Sequence, residues 1–402
     1  MKKILSILIL FLIFGAQGQI SESWNLNIDS YTHNSSNYAS KNPPIEIAEF
    51  SNKDRVILTQ KGTLTKLNTK GERIWKKEVL TCARQRIIVD INDNIFLSCG
   101  SEITKFDLNG EVVWKKEYSS NFNKKYLTFD ALISDKDKIY LVGHFFHSKY
   151  IFQLLITTSG NVLWKTKFKQ GVDYDFSFLP PKQIILNDGR IYILAYDYSK
   201  SNSFLYLSNL NGKKRKEIQI DYKIKKLKLK KGVLFAIGHL NNLKDKLIFS
   251  KLDKELSMLE KSEFELPQNF DYEKAIRGWA SSPPTKEIFE KKYITAYTIN
   301  DFEFLDNQNI LVVGDSYEKP WIAKVDLKKE IVWNWDNEDS RYFNFNNEYF
   351  QHYFSLYSIN QIENRFIISG ICEEEDYKES GFKKYINIFI REMELGKIAV
   401  PK

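Results

Sequence analysis

One phrase, repeated along the chain, constrains the fold more than any other feature. It is a hydrophobic strand, a turn, a glycine, and a tryptophan four residues further on. It reads Lys66-Leu67-Asn68-Thr69-Lys70-Gly71-Glu72-Arg73-Ile74-Trp75 and returns as Lys105-Phe106-Asp107-Leu108-Asn109-Gly110-Glu111-Val112-Val113-Trp114. A third copy runs Thr157-Thr158-Ser159-Gly160-Asn161-Val162-Leu163-Trp164. Strand periodicity returning every ~40–50 residues is the mark of a β-propeller, one blade per copy. Seven sets of strands can be traced. The expected fold is therefore all-β: a seven-bladed β-propeller of four-stranded antiparallel blades, with eight blades as the alternative.

The second strand of each set is the clearest: Val56–Thr59, Ile95–Cys99, Ile139–Gly143, Ile191–Ala195, Val233–Gly238, Ile310–Gly314 and Phe366–Gly370. Each is a short apolar run entered through a turn such as Asn92-Asp93-Asn94. Inner strands precede them at Arg86–Asp90, Thr128–Ile133, Gln183–Leu186 and Ile294–Ile299, and Ile386–Met393 is the last third strand. Asn109-Gly110 and Asn211-Gly212 read as hairpin turn pairs, because such turns need positive φ. Gly71, Gly110, Gly160 and Gly212 thus shape turns, and Trp75, Trp114, Trp164 and Trp333 open outer strands where a large flat ring packs on the next blade. Copies four, five and seven lack the tryptophan. Ser23–Ile28, with Trp24 in the tryptophan place, reads as an N-terminal outer strand that closes the ring, which removes open sheet edges.

The strand–Gly-x-x-x-Trp phrase resembles the tryptophan-docking repeat of propellers related to pyrroloquinoline quinone dehydrogenases, sharply in copies one to three and partly in copy six. That family also contains non-enzymatic members, such as an outer-membrane assembly lipoprotein. Its dehydrogenases have eight blades, vicinal cysteines and a carboxylate-rich calcium site for the cofactor. No two cysteines are adjacent here. The resemblance therefore implies the fold and the non-enzymatic branch, with no cofactor and no catalytic residue carried over.

Met1-Lys2-Lys3, the apolar run Ile4–Phe14 and Gly15-Ala16-Gln17-Gly18 read as a secretory signal, 1–18, with residues 19–402 as a single propeller domain. The apolar run falls short of the ~20 residues a spanning helix needs. The expected product is a bacterial protein exported to the periplasm or beyond the cell, without a transmembrane segment, and monomeric. The net charge of +8 is mild for so large a surface and names no polyanion; a nucleic-acid partner is not expected. Three cysteines leave at least one thiol free. Cys82 and Cys99 bracket one hairpin in which Cys99 should face about Arg86, so a bridge between them requires a bulge; unpaired thiols are the simpler reading.

Irregular segments gather on the face that carries the strand two–three loops and the connections between blades. The largest is the insertion 266–292 between blades five and six, with Arg277 and Trp279. Blade three contributes His144 and, three residues on, His147; blade five His239; blade six Asp315, Tyr317 and Trp321. Arg277, Trp279, Tyr317, Trp321, His144, His239 and Asp315 form the candidate binding set, suited to a protein, peptide or glycan partner that offers flat apolar faces with hydrogen-bonding edges. The histidines lack a metal-site context and read more simply as solvated loop residues, so no metal site is assigned. Cys372–Gly381, with Glu373–Asp376, reads as a solvated charged loop, and the lysine run Lys223–Lys231 as a solvated strand face. The reading is a non-catalytic binding or scaffold module. The alternative is a propeller lyase, hydrolase or cofactor oxidoreductase with its site at the channel mouth.

Overall fold

The computed structural model describes residues 22–25, 32–33, 46–59, 62–79, 82, 85–122, 127–145, 148–170, 181–196, 202–240, 246–265, 297–316, 319–328, 331–336, 352–362, 365–376 and 383–394. Two short strands open the chain, β1 (Glu22–Asn25) and β2 (Thr32–His33). Five four-stranded antiparallel sheets follow within one compact unit, Ser36–Phe264. They are β3 (Glu46–Glu49), β4 (Arg55–Leu58), β5 (Thr63–Leu67) and β6 (Arg73–Glu78); β7 (Gln85–Val89), β8 (Ile95–Cys99), β9 (Glu102–Phe106) and β10 (Val112–Glu117); β11 (Leu127–Asp135), β12 (Lys138–Phe145), β13 (Tyr150–Thr157) and β14 (Val162–Lys169); β15 (Pro181–Asn187), β16 (Arg190–Tyr196), β17 (Ser203–Asn209) and β18 (Lys214–Ile220); and β19 (Lys223–Lys230), β20 (Val233–His239), β21 (Lys246–Leu252) and β22 (Met258–Glu265). The second unit, Met1–Ser35 with Glu265–Lys402, holds a sixth such sheet: β23 (Tyr297–Phe304), β24 (Asn309–Ser316), β25 (Lys319–Asp326) and β26 (Ile331–Asp336). It also holds β27 (His352–Ile362), β28 (Arg365–Asp376) and β29 (Lys383–Glu394).

The blade count is corrected by these pairings. Six sheets are four-stranded blades, so the fold is an all-β propeller type with six blades of that form, not seven or eight. The strands expected to make a seventh equal blade belong instead to a five-stranded sheet ordered β1-β29-β28-β27, with β2 also on β29. Strand length is the reason. β29 has 12 residues, enough edge for two short partners, so β1 lies opposite Arg391 and Met393 while β2 lies opposite Lys384 and Tyr385. The acidic segment Glu373–Asp376 is therefore strand, not loop: it closes β28, where Glu375 and Asp376 face Lys384 and Lys383. Such opposite-charge cross-strand pairs favour strand pairing over a solvated turn. The sixth blade's inner strand, expected at 294–299, runs over Tyr297–Phe304.

A bulge recurs at one place in the inner strands. Asp130, Lys182, Lys225, Asn300 and Tyr357 are each skipped in the pairing with the second strand. The facing residue is Gly143, Ala195, Gly238, Gly314 or Gly370. A Cβ on Gly143, Gly238 or Gly314 would lie 2.1, 2.0 or 1.7 Å from the carbonyl oxygen of Thr128, Lys223 or Thr298. The second-strand glycines that face the bulges thus permit close backbone approach.

The strand three–four turns differ from the expected two-residue form. Gly71, Gly110, Gly160 and Gly212 have φ of 81, 76, 80 and 73°, whereas Asn109 and Asn211 do not share the left-handed region. These are three-residue turns closed by a left-handed glycine. An Asx or Thr side chain nucleates each: Asp107 Oδ1 accepts from the N–H groups of Asn109 and Glu111, and Asn209 Oδ1 from those of Asn211 and Lys213. Leu256 holds the glycine place in the fifth copy at φ 59°. Its side chain is 1% exposed, and burying a leucine, worth about 1.5–3 kcal/mol, outweighs a left-handed strain of ~1–2 kcal/mol.

The core lies between neighbouring blades, in clusters that each draw on two sheets. Val56, Leu58 and Leu64 meet Ile87, Ile95 and Leu97 with Trp75 against them; Tyr192, Leu194 and Leu205 meet Leu227, Leu234 and Ile248. Period-two alternation on the strands supplies these faces.

Candidate functional site

One register position on the inner strands carries polar groups from blade to blade. Glu46, Arg86, Gln183, Lys226 and Asp301 each face the second-strand residue just before the one opposite the bulge, or its counterpart in the two blades without a bulge. In three cases the side chain clasps the main chain of the next inner strand. Glu46 Oε2 accepts the N–H of Ile87 at 2.7 Å. Gln183 brackets Leu227, accepting its N–H at 2.9 Å and donating to its carbonyl at 2.7 Å. Within the second unit, Asp301 Oδ2 accepts the N–H of Ile359 at 3.4 Å. The row satisfies main-chain groups that sheet pairing inside one blade cannot reach.

Arg86 extends the first clasp into a charged link. Its Nη1 lies 2.9 Å from Glu46 Oε1, and its Nε donates to the carbonyl of Asp130 at 2.8 Å. Asp130 is the bulged residue of β11, and the bulge brings its carboxylate onto His144 Nδ1 at the end of β12. Glu46, Arg86, Asp130 and His144 therefore join β3, β7, β11 and β12. Solvent reaches the Glu46–Arg86 end, with side chains 26% and 24% exposed, and is excluded from the Asp130–His144 end. Desolvation pushes the Glu46 carboxyl above its ordinary value, against the lowering influence of Arg86, the Ile87 N–H and Lys226. Lys226 lies in the run expected as a solvated face. Lys223–Lys230 of that run form β19, an inner strand whose lysines are at most half-exposed, because the bulge at Lys225 changes which side chains turn inward; Lys231 is exposed in the turn that follows.

The remaining sequence candidates fall into three groups. His144, His239 and Trp321 are buried, at 4, 5 and 0% exposure, and so are not the solvated loop residues expected of the histidines. His144, His239 and Asp315 take the same register place, one residue beyond the bulge-facing glycine, in three different blades. Tyr196 holds that place in the fourth blade, and its hydroxyl donates to the carbonyl of the bulged Lys225 at 3.2 Å. These positions stand at or next to the ends of the second strands. Asp315 belongs to β24 rather than to a loop. Arg277, Trp279, Tyr317 and His147 lie outside the described residues. Among the described residues no group of three or more His, Cys, Asp or Glu side chains is placed to hold a metal ion.

The repeated tryptophans do meet the next blade, and what they meet is its turn. Trp75 Nε1 donates to the carbonyl of Leu108 at 3.2 Å, and Trp114 Nε1 to that of Thr158 at 3.1 Å. A Cβ on Gly110 would lie 3.2 Å from the Trp75 ring, and one on Gly212 2.7 Å from the Trp164 ring. Gly110 with Trp75 and Gly212 with Trp164 are thus complementary surfaces, while Gly160 packs against the Lys116 side chain. Where the fourth copy lacks tryptophan, Lys216 donates to Glu255 O at 2.7 Å and Tyr192 to Lys254 O at 3.0 Å, and they dock the fifth turn instead. The side chains of Trp24 and Trp333 lie outside the described residues. Cys82 and Cys99 are disulfide-bonded, with Cα atoms 5.7 Å apart. Cys99 faces Gln85, one residue earlier than expected, and Cys82 stands three residues before it, close enough to bridge without a bulge.

No protein-family model matches the chain, and no curated protein sequence does. Likeness to solved structures is found at low identity. A quinohemoprotein alcohol dehydrogenase from Pseudomonas putida HK5 matches at 10% identity over 96% of this chain and 77% of that one, with a TM-score of 0.51. BamB from Moraxella catarrhalis matches at 12% identity over 90% of this chain and 97% of its own, with a TM-score of 0.46. The Dos1 propeller matches at 11% identity over 86% and 78%, with a TM-score of 0.48. The dehydrogenase likeness bears on fold alone, and the other two carry no argument. The fold is a β-propeller resembling those of quinone-dependent dehydrogenases.

Proposed function

We propose that this protein is an exported binding or scaffold propeller of the non-enzymatic kind, which engages a protein, peptide or glycan through the connections between its strands. One observation carries the reading. His144, His239 and Trp321, the binding candidates whose side chains are described, are buried, which leaves contact with a partner to the connections between strands. The insertion 266–292, with Arg277 and Trp279, stands between β22 and β23 in the chain, and it is the segment to which we assign the contact residues. A catalytic reading would look to the Glu46–Arg86–Asp130–His144 link. Its histidine and aspartate are closed to solvent, and its arginine is held by Glu46 and the Asp130 carbonyl, so the link braces three blades rather than meeting a substrate.

The test is capture from an envelope extract with the wild-type chain and with Arg277→Ala/Trp279→Ala. A partner retained by the wild type and lost by the variant is the expected result. A partner held equally by both removes the insertion from the interface.

A further inference from the structure

The disulfide found among the described residues stands at the entrance to the Glu46–Arg86–Asp130–His144 link. Cys82 lies in the connection from β6 to β7, three residues before β7 begins, and Cys99 is the last residue of β8. Cys99 faces Gln85 across the sheet, and Gln85 is buried. The next two residues make the first clasp. Arg86 reaches Glu46 and the carbonyl of Asp130, and the N–H of Ile87 donates to Glu46. On the other side of the bridge, the carbonyl of Gly100 accepts the N–H of Phe129 at 2.9 Å, and that of Ser101 accepts the N–H of Tyr118 at 3.0 Å.

Both arms therefore end on one point of the third blade. Phe129 and Asp130 are neighbours in β11, and Asp130 is the bulged residue whose carboxylate meets His144. The start of β7 and the turn after β8 are each tied to that bulge, and the bridge ties them to each other. Gln85 and Cys99 are the terminal pair of the β7–β8 ladder, where strand pairing alone holds least. In small exported domains a disulfide makes up for a missing core. The Ser36–Phe264 unit has clusters of buried side chains between its blades, so the bridge serves no such purpose here. Its place bears on one inter-blade contact instead. Both cysteines are half-buried rather than sealed in the core.

We propose that the Cys82–Cys99 bridge is a redox latch on the brace between the first three blades. Opening it slackens the start of β7 and the β8–β9 turn, and with them the holds on Glu46, Phe129 and Asp130. A dithiol opens the latch. One thiolate of the reductant attacks a bridge sulfur and displaces the other cysteine as a thiolate. The second reductant thiolate then cleaves the mixed disulfide, and the reductant leaves as its own disulfide. Two electrons pass to the bridge, and the two protons lost by the reductant end on the cysteines. The reverse exchange with a disulfide oxidant closes the latch. None of this depends on which partner the connections between strands bind.

Amide hydrogen exchange on the full chain tests it, before and after reduction with dithiothreitol. Ile87 and Phe129 donate at the latch, while Leu227 donates to Gln183 in a clasp of the same kind between the fourth and fifth blades. Reduction is expected to accelerate exchange at Ile87 and Phe129 about tenfold more than at Leu227, and reoxidation to restore it. Linkage is reciprocal, so the brace must also act on the bridge. In a dithiothreitol redox buffer, Arg86→Met should shift the bridge about threefold toward the dithiol, and Gln183→Met should leave it unchanged. Should Arg86→Met fail to fold, Glu46→Gln serves, with an expected shift of about twofold in the same direction. A bridge that only staples the unfolded chain predicts equal acceleration at all three amides and no difference between the variants. Either of those results, or a reduced chain that unfolds as a whole, would overturn the proposal.

Discussion

At the scale of single residues, two positions decide more than their chemistry suggests. Gly238 looks like an ordinary strand terminus, yet a methyl group there would press to 2.0 Å from a carbonyl oxygen that the bulged strand cannot withdraw. Gly238→Ala is expected to cost on the order of 3 kcal/mol in urea denaturation. Gly100→Ala, at φ 62° with open space around it, should cost only the left-handed strain of ~1–2 kcal/mol. Equal losses at the two sites would show that the bulge relaxes. Glu46 is the second position. Its folded-state pKa is raised by desolvation, so its contribution to stability is full below the unfolded value and is lost as pH rises through the folded one. Relative to wild type, Glu46→Gln should therefore gain stability as pH rises from about 4 toward neutrality. A pH-independent difference between the two proteins would remove Glu46 from the titration.

At the scale of elements, the turns and outer strands work as a chain of docks. The donors on Trp75, Trp114, Tyr118, Tyr192 and Lys216 each reach a turn carbonyl of the following blade. Trp114→Phe keeps most of the apolar contact and loses the bond to Thr158, an expected cost of about 1 kcal/mol. Trp114→Ala should cost roughly 2–4 kcal/mol, because the ring packs edge-on against Phe96 at 5.9 Å. Similar losses for both variants would give the hydrogen bond the larger share. The Cys82–Cys99 bridge ties the start of the second blade to its second strand across 17 residues of sequence. Its loss in Cys82→Ser/Cys99→Ser is expected to lower stability by about 2–4 kcal/mol, and denatured oxidised wild type should titrate one thiol, Cys372.

Much of this level was legible in the chain. Apolar runs bounded by turn residues located the second strands to within a few residues, since period and punctuation are local properties. The partnership of one copy's tryptophan with the next copy's glycine was half visible: the ring's role and the glycine's role could each be read, but not that they touch. The bulges were hidden, because a skipped residue such as Asp130 or Lys225 has no compositional mark. With them went the inner-strand row, the placing of His144 against Asp130, and the inward turn of the lysines on β19.

At the scale of the whole molecule, the repeat indicated a propeller, while the number of equal blades depended on strand length at the chain ends. Glu373–Asp376 reads as a charged loop until Lys383 and Lys384 are seen opposite it. Once that segment is strand, β28 and β29 are long enough to recruit both N-terminal strands, and the sheet ceases to resemble the other six. No helix among the described residues is long and apolar enough to cross a membrane. The functional reading assigns the macromolecular partner to the connections between strands.

The most direct measurement is photo-crosslinking in intact cells, with the crosslinking residue placed at position 279 in one strain and at position 163 in another. A discrete protein or glycan adduct from position 279, absent from position 163, is the expected outcome. Adducts from position 163 alone, with none from position 279, would contradict the assignment of the partner to the loop face.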